Sequence, residues 1–397
     1  MVSTTQVNEI LQRPAIAILP TLAIDPNPAC AAAAAGITRD LLTLFSRWCW
    51  FPVIASGPMS NVVAQTLTTQ QVGQVLGARF LVNTALRNRG DVWRLDVQVA
   101  DASNGHCLCA DVYDFPNCDL FDVEDRVIAE VVGQTYPHVI AATAPSPVAR
   151  PDELATWQLA HAAFDLQDRR ERLANEQARL AFERVLEREP NLVLAHYGLG
   201  LIAYDQVLNQ WAPQATAIEL LRRSAEKCIG LARKMAEGHY LAGRLAMAQY
   251  EHGVAADKLA FAVLLNPSFA AAHSLLGQLH LMAGRLDEGL HRMQIAQRLG
   301  PKAFTAGLAV AHFARHEWQQ ALVAAEQAVA MSPDYPFGRA LAAAAAHCIS
   351  LPERAHEHAT ALYRLQPTFD PTRFRTTFGT QVDAVARLVD ALEQIGR

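Results

Sequence analysis

The sequence is short of charge. Asp, Glu, Lys and Arg make up 18% of its 397 residues, and the formal net charge is −5. No basic patch stands out: Arg169-Arg170-Glu171-Arg172 and Arg222-Arg223 are brief, have acidic neighbours and read as solvated helix faces. Binding nucleic acid through its phosphates needs such a patch, so no direct nucleic-acid partner is expected. No run of about twenty apolar residues occurs, which speaks against a transmembrane helix and a membrane partner. Arg13 comes late and Pro20 breaks the apolar run Ala15–Ile24, a poor match to a signal peptide, so a cytoplasmic location is expected. Cysteine is sparse, with seven scattered residues. An odd, unpatterned set argues for reduced thiols rather than a disulfide framework.

Signatures of catalysis are also missing. There is no G-x-x-x-x-G-K-[ST] phosphate loop, and Gly36 and Gly90 form no dinucleotide fingerprint. Ser56-Gly57-Pro58-Met59-Ser60 lacks the G-x-S-x-G of a nucleophile elbow. His106-Cys107-Leu108-Cys109 with Cys118 has no second pair of spaced ligands, so buried thiols are expected there rather than zinc. His356 and His358 lie two residues apart on an expected helix and point to different faces. The reading is of a non-enzymatic chain without cofactor or metal.

What the chain does have is repetition. Ala195-His196-Tyr197-Gly198-Leu199-Gly200, Gly238-His239-Tyr240-Leu241-Ala242-Gly243 and Ala272-His273-Ser274-Leu275-Leu276-Gly277 are near-copies, the last two 34 residues apart. Pro267, Pro301, Pro333 and Pro367 follow at spacings of 34, 32 and 34. Proline ends helices, and a period of about 34 marks the tetratricopeptide repeat, a pair of antiparallel helices. Such pairs bury their apolar faces only by stacking into a solenoid with a concave binding surface. About six pairs are expected from Leu154 onward. Leu276 and Gly277, Gly284 in a turn, Ala296, Trp318, Ala321, Ala328 and Ala355 fall at repeat positions. The first two hexamers are 43 residues apart, and a loop over Val207–Gln214 is expected to hold the surplus. His196, His239 and His273 share one repeat position and read as packing residues. The apolar spacing of Val382, Val385, Leu388, Val389, Leu392 and Ile395 suits a capping helix.

In this phase the first helix of each pair lines the concave side. Tyr197, Leu201, Tyr204, Tyr240, Arg244, Met247, Ser274, Gln278, Leu281, Met282, Val310 and Phe313 are the groove-facing positions. The candidate partner-binding set is Tyr197, Tyr204, Tyr240, Arg244, Met247, Gln278, Met282 and Phe313. Tyrosine and arginine are common interface anchors, and methionine adapts to varied surfaces. A protein or peptide partner is expected, and self-association is compatible with the same surface.

The N-terminal part alternates differently. Pro14–Pro20, Phe51–Ala55, Arg79–Leu86, Val92–Ala100 and His106–Tyr113 read as strands, with hairpin chemistry at Asn88-Arg89-Gly90-Asp91. Ile37–Trp48, capped by Thr38 or Asp40, Thr69–Leu76 and Val123–Thr135 read as helices. An α/β sandwich of about 130 residues follows, with a Pro-rich linker over Ala141–Arg150. Leu76-Gly77-Ala78-Arg79-Phe80, then Arg87, Gly90, Arg94, Asp101, Gly105 and Tyr113-Asp114, resemble the TolB-like amino-terminal domain that precedes tetratricopeptide repeats. The starts at Gly36-Ile37-Thr38 and Asp119-Leu120-Phe121…Asp125 and the ending around Phe374 to Gly396 match the same pattern. Thr84 stands where that family usually has glycine, and Cys109 where it has tryptophan.

The resemblance implies an α/β N-terminal sandwich followed by an all-α tetratricopeptide-repeat solenoid. The implied segments are 1–140, a linker 141–153, repeats 154–379 and a cap 380–397. In relatives this pair follows a winged-helix or class III adenylate cyclase head and acts as the sensory or protein-contact half. With only residues 1–13 ahead of the first strand, neither head is expected in this sequence. A scaffold in a bacterial signalling pathway is the leading expectation. A transcription regulator with a separate DNA-binding partner and a small-ligand sensor or enzyme using the α/β domain are the alternatives.

Overall fold

The computed structural model describes residues 13–48, 50–55, 66–116, 120–144, 154–169, 171–209, 211–331, 333, 336–367, 369–372 and 383–395. The linker expected over Ala141–Arg150, the Ser56–Ser60 segment and Cys118 fall largely or wholly outside them. The described chain is mostly helical, with a small N-terminal mixed sheet. It divides into two compact units, Met1–Glu251 with Leu264–Ser268, and His252–Val263 with Phe269–Arg397.

Unit 1 begins with the sheet. Its strands are β1 (Ile16–Ile18), β2 (Leu22–Ala23), β3 (Val53–Ala55), β4 (Phe80–Arg89), β5 (Val92–Asp101) and β6 (His106–Pro116). The order is β3-β1-β4-β5-β6, with β2 also on β4. β3, β1 and β4 run parallel, and β4, β5 and β6 antiparallel. Ile16, Ile18, Phe80, Val82, Leu86, Leu95 and Val99 are sealed. Helices α1 (Pro28–Arg47) and α3 (Leu120–Ala142) pack together and against strands, with Phe45 stacked on Tyr136 at 5.8 Å. Helix α2 (Thr69–Leu76) sets Val72 among Ala17, Leu81 and Ala102.

The first helix starts earlier than the sequence pattern indicated. Asn27 Oδ1 accepts from Ala29 N, and Pro28 occupies the first turn, where its missing N–H costs nothing. Thr38 is therefore inside α1. Its hydroxyl donates to Ala34 O at 2.8 Å and accepts from Thr21 N at 2.8 Å. The alanine-rich run that follows Pro28 carries little amphipathic signal, which hid the extra turns. Several of the charged residues that carry the resemblance form ion pairs: Arg79 with Asp101, Arg87 with Asp96, and Arg94 with Asp114. Thr84, at the position where glycine is usual, is buried and shares a 2.7 Å hydrogen bond with Thr21.

Unit 1 continues as α4 (Thr156–Asp168), α5 (Arg172–Arg188), α6 (Val193–Asn209), α7 (Gln214–Leu231) and α8 (Ala236–Ala248). α4 packs on α5 and α6 on α7, while α4 touches α6 and α6 touches α8. Each first helix thus meets its own partner and the next first helix, the arrangement of stacked helical hairpins. Close approach between hairpins is built in: a Cβ added to Gly198 would stand 2.2 Å from the Phe182 ring. The surplus between the first hexamers is not the expected loop. α6 and α7 have 17 and 18 residues, against 13 and 14 in the later pair α10 and α11, so the extra length is helical.

Unit 2 holds most of α9 (His252–Leu265), then α10 (Ala270–Met282), α11 (Leu286–Leu299), α12 (Pro301–Ala314), α13 (Trp318–Met331), α14 (Pro336–Cys348), α15 (Pro352–Leu365) and α16 (Asp383–Ile395). The same contact pattern recurs along α10 to α15. Leu276, Ala296, Ala321, Ala328 and Ala355 are buried as their repeat positions require. Helix α14 is enclosed, with Ala340 and Ala342–Ala346 fully buried, and Leu388, Val389 and Leu392 of α16 join the same core. Val382 lies outside the described residues.

Candidate functional site

The expected lining residues of unit 1 fall on two neighbouring first helices. Tyr197 and Tyr204 are seven apart on α6; Tyr240, Arg244 and Met247 are four and three apart on α8. Both spacings keep the residues on one helix face. The structure brings them together. The Tyr197 and Tyr240 ring centroids are 6.3 Å apart, and Arg244 Cζ lies 4.5 Å from the Tyr204 ring and 4.8 Å from the Tyr240 ring. Cation–π attraction holds the guanidinium between the rings.

The three tyrosines are more enclosed than a surface lining requires. Tyr240 is 1% exposed, and Tyr197 and Tyr204 are 6% exposed. Arg244 and Met247 are half-buried and keep some surface. In unit 2, Phe313 is buried, with its ring 4.8 Å from Trp318, so it belongs to the core of that unit. Gln278 and Met282 are half-buried. Repeat phase assigns a residue to a helix face but cannot register how far the next first helix closes over it.

Arg244 is incompletely satisfied. Its Nε and Nη1 are buried and have no hydrogen-bond partner. Burial works against the charge, but Tyr240, Asp205, Tyr204 and Tyr197 outweigh it and hold the pKa above the ordinary arginine value. Asp205, half-buried on α6, accepts from Gln167 Nε2 at 2.9 Å. Burial pushes the Tyr204 hydroxyl up to about 12.

An aromatic row continues from this cluster within unit 1. Tyr197 meets Phe164 at 6.0 Å, and Phe164 stacks on Trp50 at 5.4 Å. Trp50 Nε1 donates to Glu237 Oε1 at 3.2 Å. Glu237 is 1% exposed, and its Oε2 has no partner. Burial raises its pKa to about 7, against small opposing effects from a backbone bond and Trp50. His161 sits beside Trp50, Phe51 and Trp157, and burial pushes its pKa down to about 4. Trp48 Nε1 donates to Ser268 Oγ at 2.9 Å, a second tie between the segment after α1 and the repeat region. Sequence reasoning missed Trp50 and Glu237, because nothing in a single chain says that an acid at a helix start will be sealed.

The repeated histidines have a local role. His196 Nε2 meets Pro190 O at 2.9 Å and His239 Nε2 meets Arg233 O at 3.0 Å, each six residues back, so the ring ties its helix to the preceding turn. His273 is buried beside Arg292. His358 lies between Arg339 and Glu326, and His356 is exposed. A separate trough of about 440 Å³ lies on the sheet, lined by Leu19, Pro20, Leu22, Asn83, Gln98 and Val112 among others.

No family model matches the chain. A protein of Rhizobium meliloti (strain 1021), whose name assigns it provisionally as adenylate cyclase 3, is 28% identical over 206 residues, 50% of this chain and 34% of the relative. The chain thus spans about a third of that relative's length. Among solved structures, Pseudomonas aeruginosa PilF aligns over 58% of this chain and 99% of its own, at 16% identity and a TM-score of 0.40. A thermophilic tetratricopeptide-repeat protein of Thermus thermophilus covers 48% and 98%, at 18% identity and 0.41. TolB of Acinetobacter baumannii covers 32% and 28%, at 18% and 0.25. These structural likenesses are too loose to bear on function.

Proposed function

We propose that this chain is a non-enzymatic interaction scaffold in a bacterial signalling or regulatory pathway. In this reading residues 1–140 are a TolB-like α/β sandwich, 141–153 a linker, 154–379 tetratricopeptide repeats and 380–397 a cap. A protein or peptide partner docks on the face of α6 and α8. The observation that carries the reading is Arg244, a half-buried residue whose guanidinium is held between two tyrosine rings with two buried donors unfilled. Arginine and tyrosine together make interface hot spots. The provisional cyclase name of the Rhizobium relative favours a signalling setting.

Site-specific photocrosslinking tests it. A benzoyl-phenylalanine at Met247, beside Arg244, is expected to capture the partner that the unmodified chain retains. The same group at Val112, which is 58% exposed on the sheet, is expected not to. Capture from Val112 alone overturns the reading. The trough on the sheet favours a second reading, a small-ligand sensor. A thermal-shift screen with metabolites that stabilises the parent, but not a Gln98→Trp variant, would establish it.

A further inference from the structure

We propose that the first helices α12 and α14 form a groove for one amphipathic helix, that α16 fills it in cis, and that a partner's helix with the same apolar stripe takes its place. This goes beyond the face of α6 and α8 and does not depend on it, since every element involved lies in unit 2.

Helix α16 is not packed as the next member of the stack. Elsewhere a first helix packs chiefly on the second helix before it: α8 on α7, α12 on α11 and α14 on α13. A helix that only closed the end would continue that pattern and pack chiefly on α15. Instead α16 packs chiefly on α14, a first helix, and to a lesser extent on α12 and α15. First helices line the concave side of such a stack, so α16 lies across that side. The stretch from Leu365 to Asp383 is also far longer than those from Leu299 to Pro301 or Met331 to Pro336. No short turn holds α16 at the next place in the stack.

The burial of α14 agrees. Ala342–Ala346 follow one another at steps of about 100°, so they point all round the helix. Each is 0% exposed. On α10, by contrast, Ser274, Leu275, Gln278 and Met282 stay half-buried. Leu281, Val310 and Phe313, three of the expected groove positions, share one apolar cluster with Leu388, Val389 and Leu392 of α16.

The sequence of α16 is that of a helix laid in a groove. Leu388, Ala391, Leu392 and Ile395 stand at i, i+3, i+4 and i+7, with Val389 beside them, while Arg387, Asp390, Glu393 and Gln394 are exposed. The alanines of α14 let a second helix come close and impose no charge pattern on it. Recognition therefore rests on the apolar spacing, with one polar tie where His347 Nε2 lies 3.1 Å from Gln394 Oε1. A partner's helix needs the same stripe, and its outward positions contribute little.

A filled groove weakens the apparent binding of an incoming helix by the fraction of molecules in which it stands empty. The test uses the full chain and, as probe, a fluorescent peptide with the sequence of residues 380–397, read by anisotropy. In the full-length variant Leu388→Asp with Leu392→Asp, α16 is driven out and the groove residues are unchanged. This variant is expected to bind the peptide at least about tenfold more tightly than the parent does. A peptide carrying the same two substitutions is expected to bind neither. Helical dichroism of the variant should fall by the share of one helix and recover when the unsubstituted peptide is added. If the variant loses cooperative melting, Leu392→Ala replaces it, with binding about threefold or more tighter than the parent's as the expected result. Loss of cooperative melting there too makes α16 part of the core and overturns the proposal. Equal binding by parent and variant puts the peptide elsewhere and overturns it, as does binding by neither. Undiminished binding of the substituted peptide overturns recognition by the stripe. A dimeric parent beside a monomeric variant in size-exclusion chromatography overturns filling in cis, because a second copy's α16 then occupies the groove.

Discussion

Tyr240 shows how a residue can sit at a binding position and still belong to the core. Groove-facing phase makes truncation look harmless to the fold, yet at 1% exposure the ring packs against Tyr197 and under Arg244. Tyr240→Ala is expected to cost about 3–5 kcal/mol in denaturant unfolding, the range for emptying a buried aromatic site. A cost under about 1 kcal/mol would show that the site is open. Glu237 makes a different prediction. Its folded pKa of about 7 lies above that of an unfolded glutamate, so the native state holds the proton more tightly. Its contribution therefore favours the fold at low pH and is lost as pH rises from about 4.5 through about 7. Glu237→Gln is expected to flatten that slope and to leave the variant more stable than the parent at pH 8, by about 3 kcal/mol. Parallel pH profiles for parent and variant would refute this.

At the scale of elements, the turns closing the last four first helices of the hairpins, α8, α10, α12 and α14, share one conformation. Tyr250, Gly284, His316 and Ser350 all have positive φ, from 59° to 74°, and recur at the 34, 32 and 34 spacing of the prolines. Each closes its first helix, with a backbone N–H returning to a carbonyl three residues back. Only Gly284 adopts this conformation without strain. Left-handed backbone costs an ordinary residue about 1 kcal/mol. Ser350 is exposed, so Ser350→Gly removes the strain and is expected to stabilise by about 0.5–1 kcal/mol. Chemical denaturation midpoints decide, and a fall in stability would mean that the serine side chain does more than its exposure indicates. His316 is a poorer choice, because its ring lies 4.9 Å from Trp318 and that contact would go too.

At the scale of the whole molecule, one compact unit holds both the mixed sheet and the first hairpins. Trp48 and Trp50 supply two of the ties between them. Sheet and first repeats are therefore expected to melt together. Trp50→Ala should lower the melting of both by a common amount, read from tryptophan fluorescence and helical dichroism in the same sample. Two separated transitions in the parent would show that the sheet folds independently. With a net charge of −5 and no basic patch in its sequence, the chain is expected to bind DNA weakly and without sequence preference. A tight, sequence-selective complex in a gel-shift titration at physiological salt would overturn that.

Much of the architecture was legible along the chain because it is local. A 34-residue period, prolines at helix ends and the alternation of Leu95, Val97 and Val99 each act over a few turns or one strand. Those signals placed the helical hairpins and the β4–β6 meander. The early start of α1 was hidden because a run of alanines has no periodic contrast. The state of the candidate site was decided elsewhere. Burial of Tyr240, the unfilled donors of Arg244 and the sealed carboxyl of Glu237 depend on which helices and which tryptophan close over them. Those partners lie up to 187 residues away in sequence, as Trp50 does from Glu237. Side-chain type and spacing fix the face a residue occupies. Desolvation is set by everything packed around it, and only the tertiary structure supplies that.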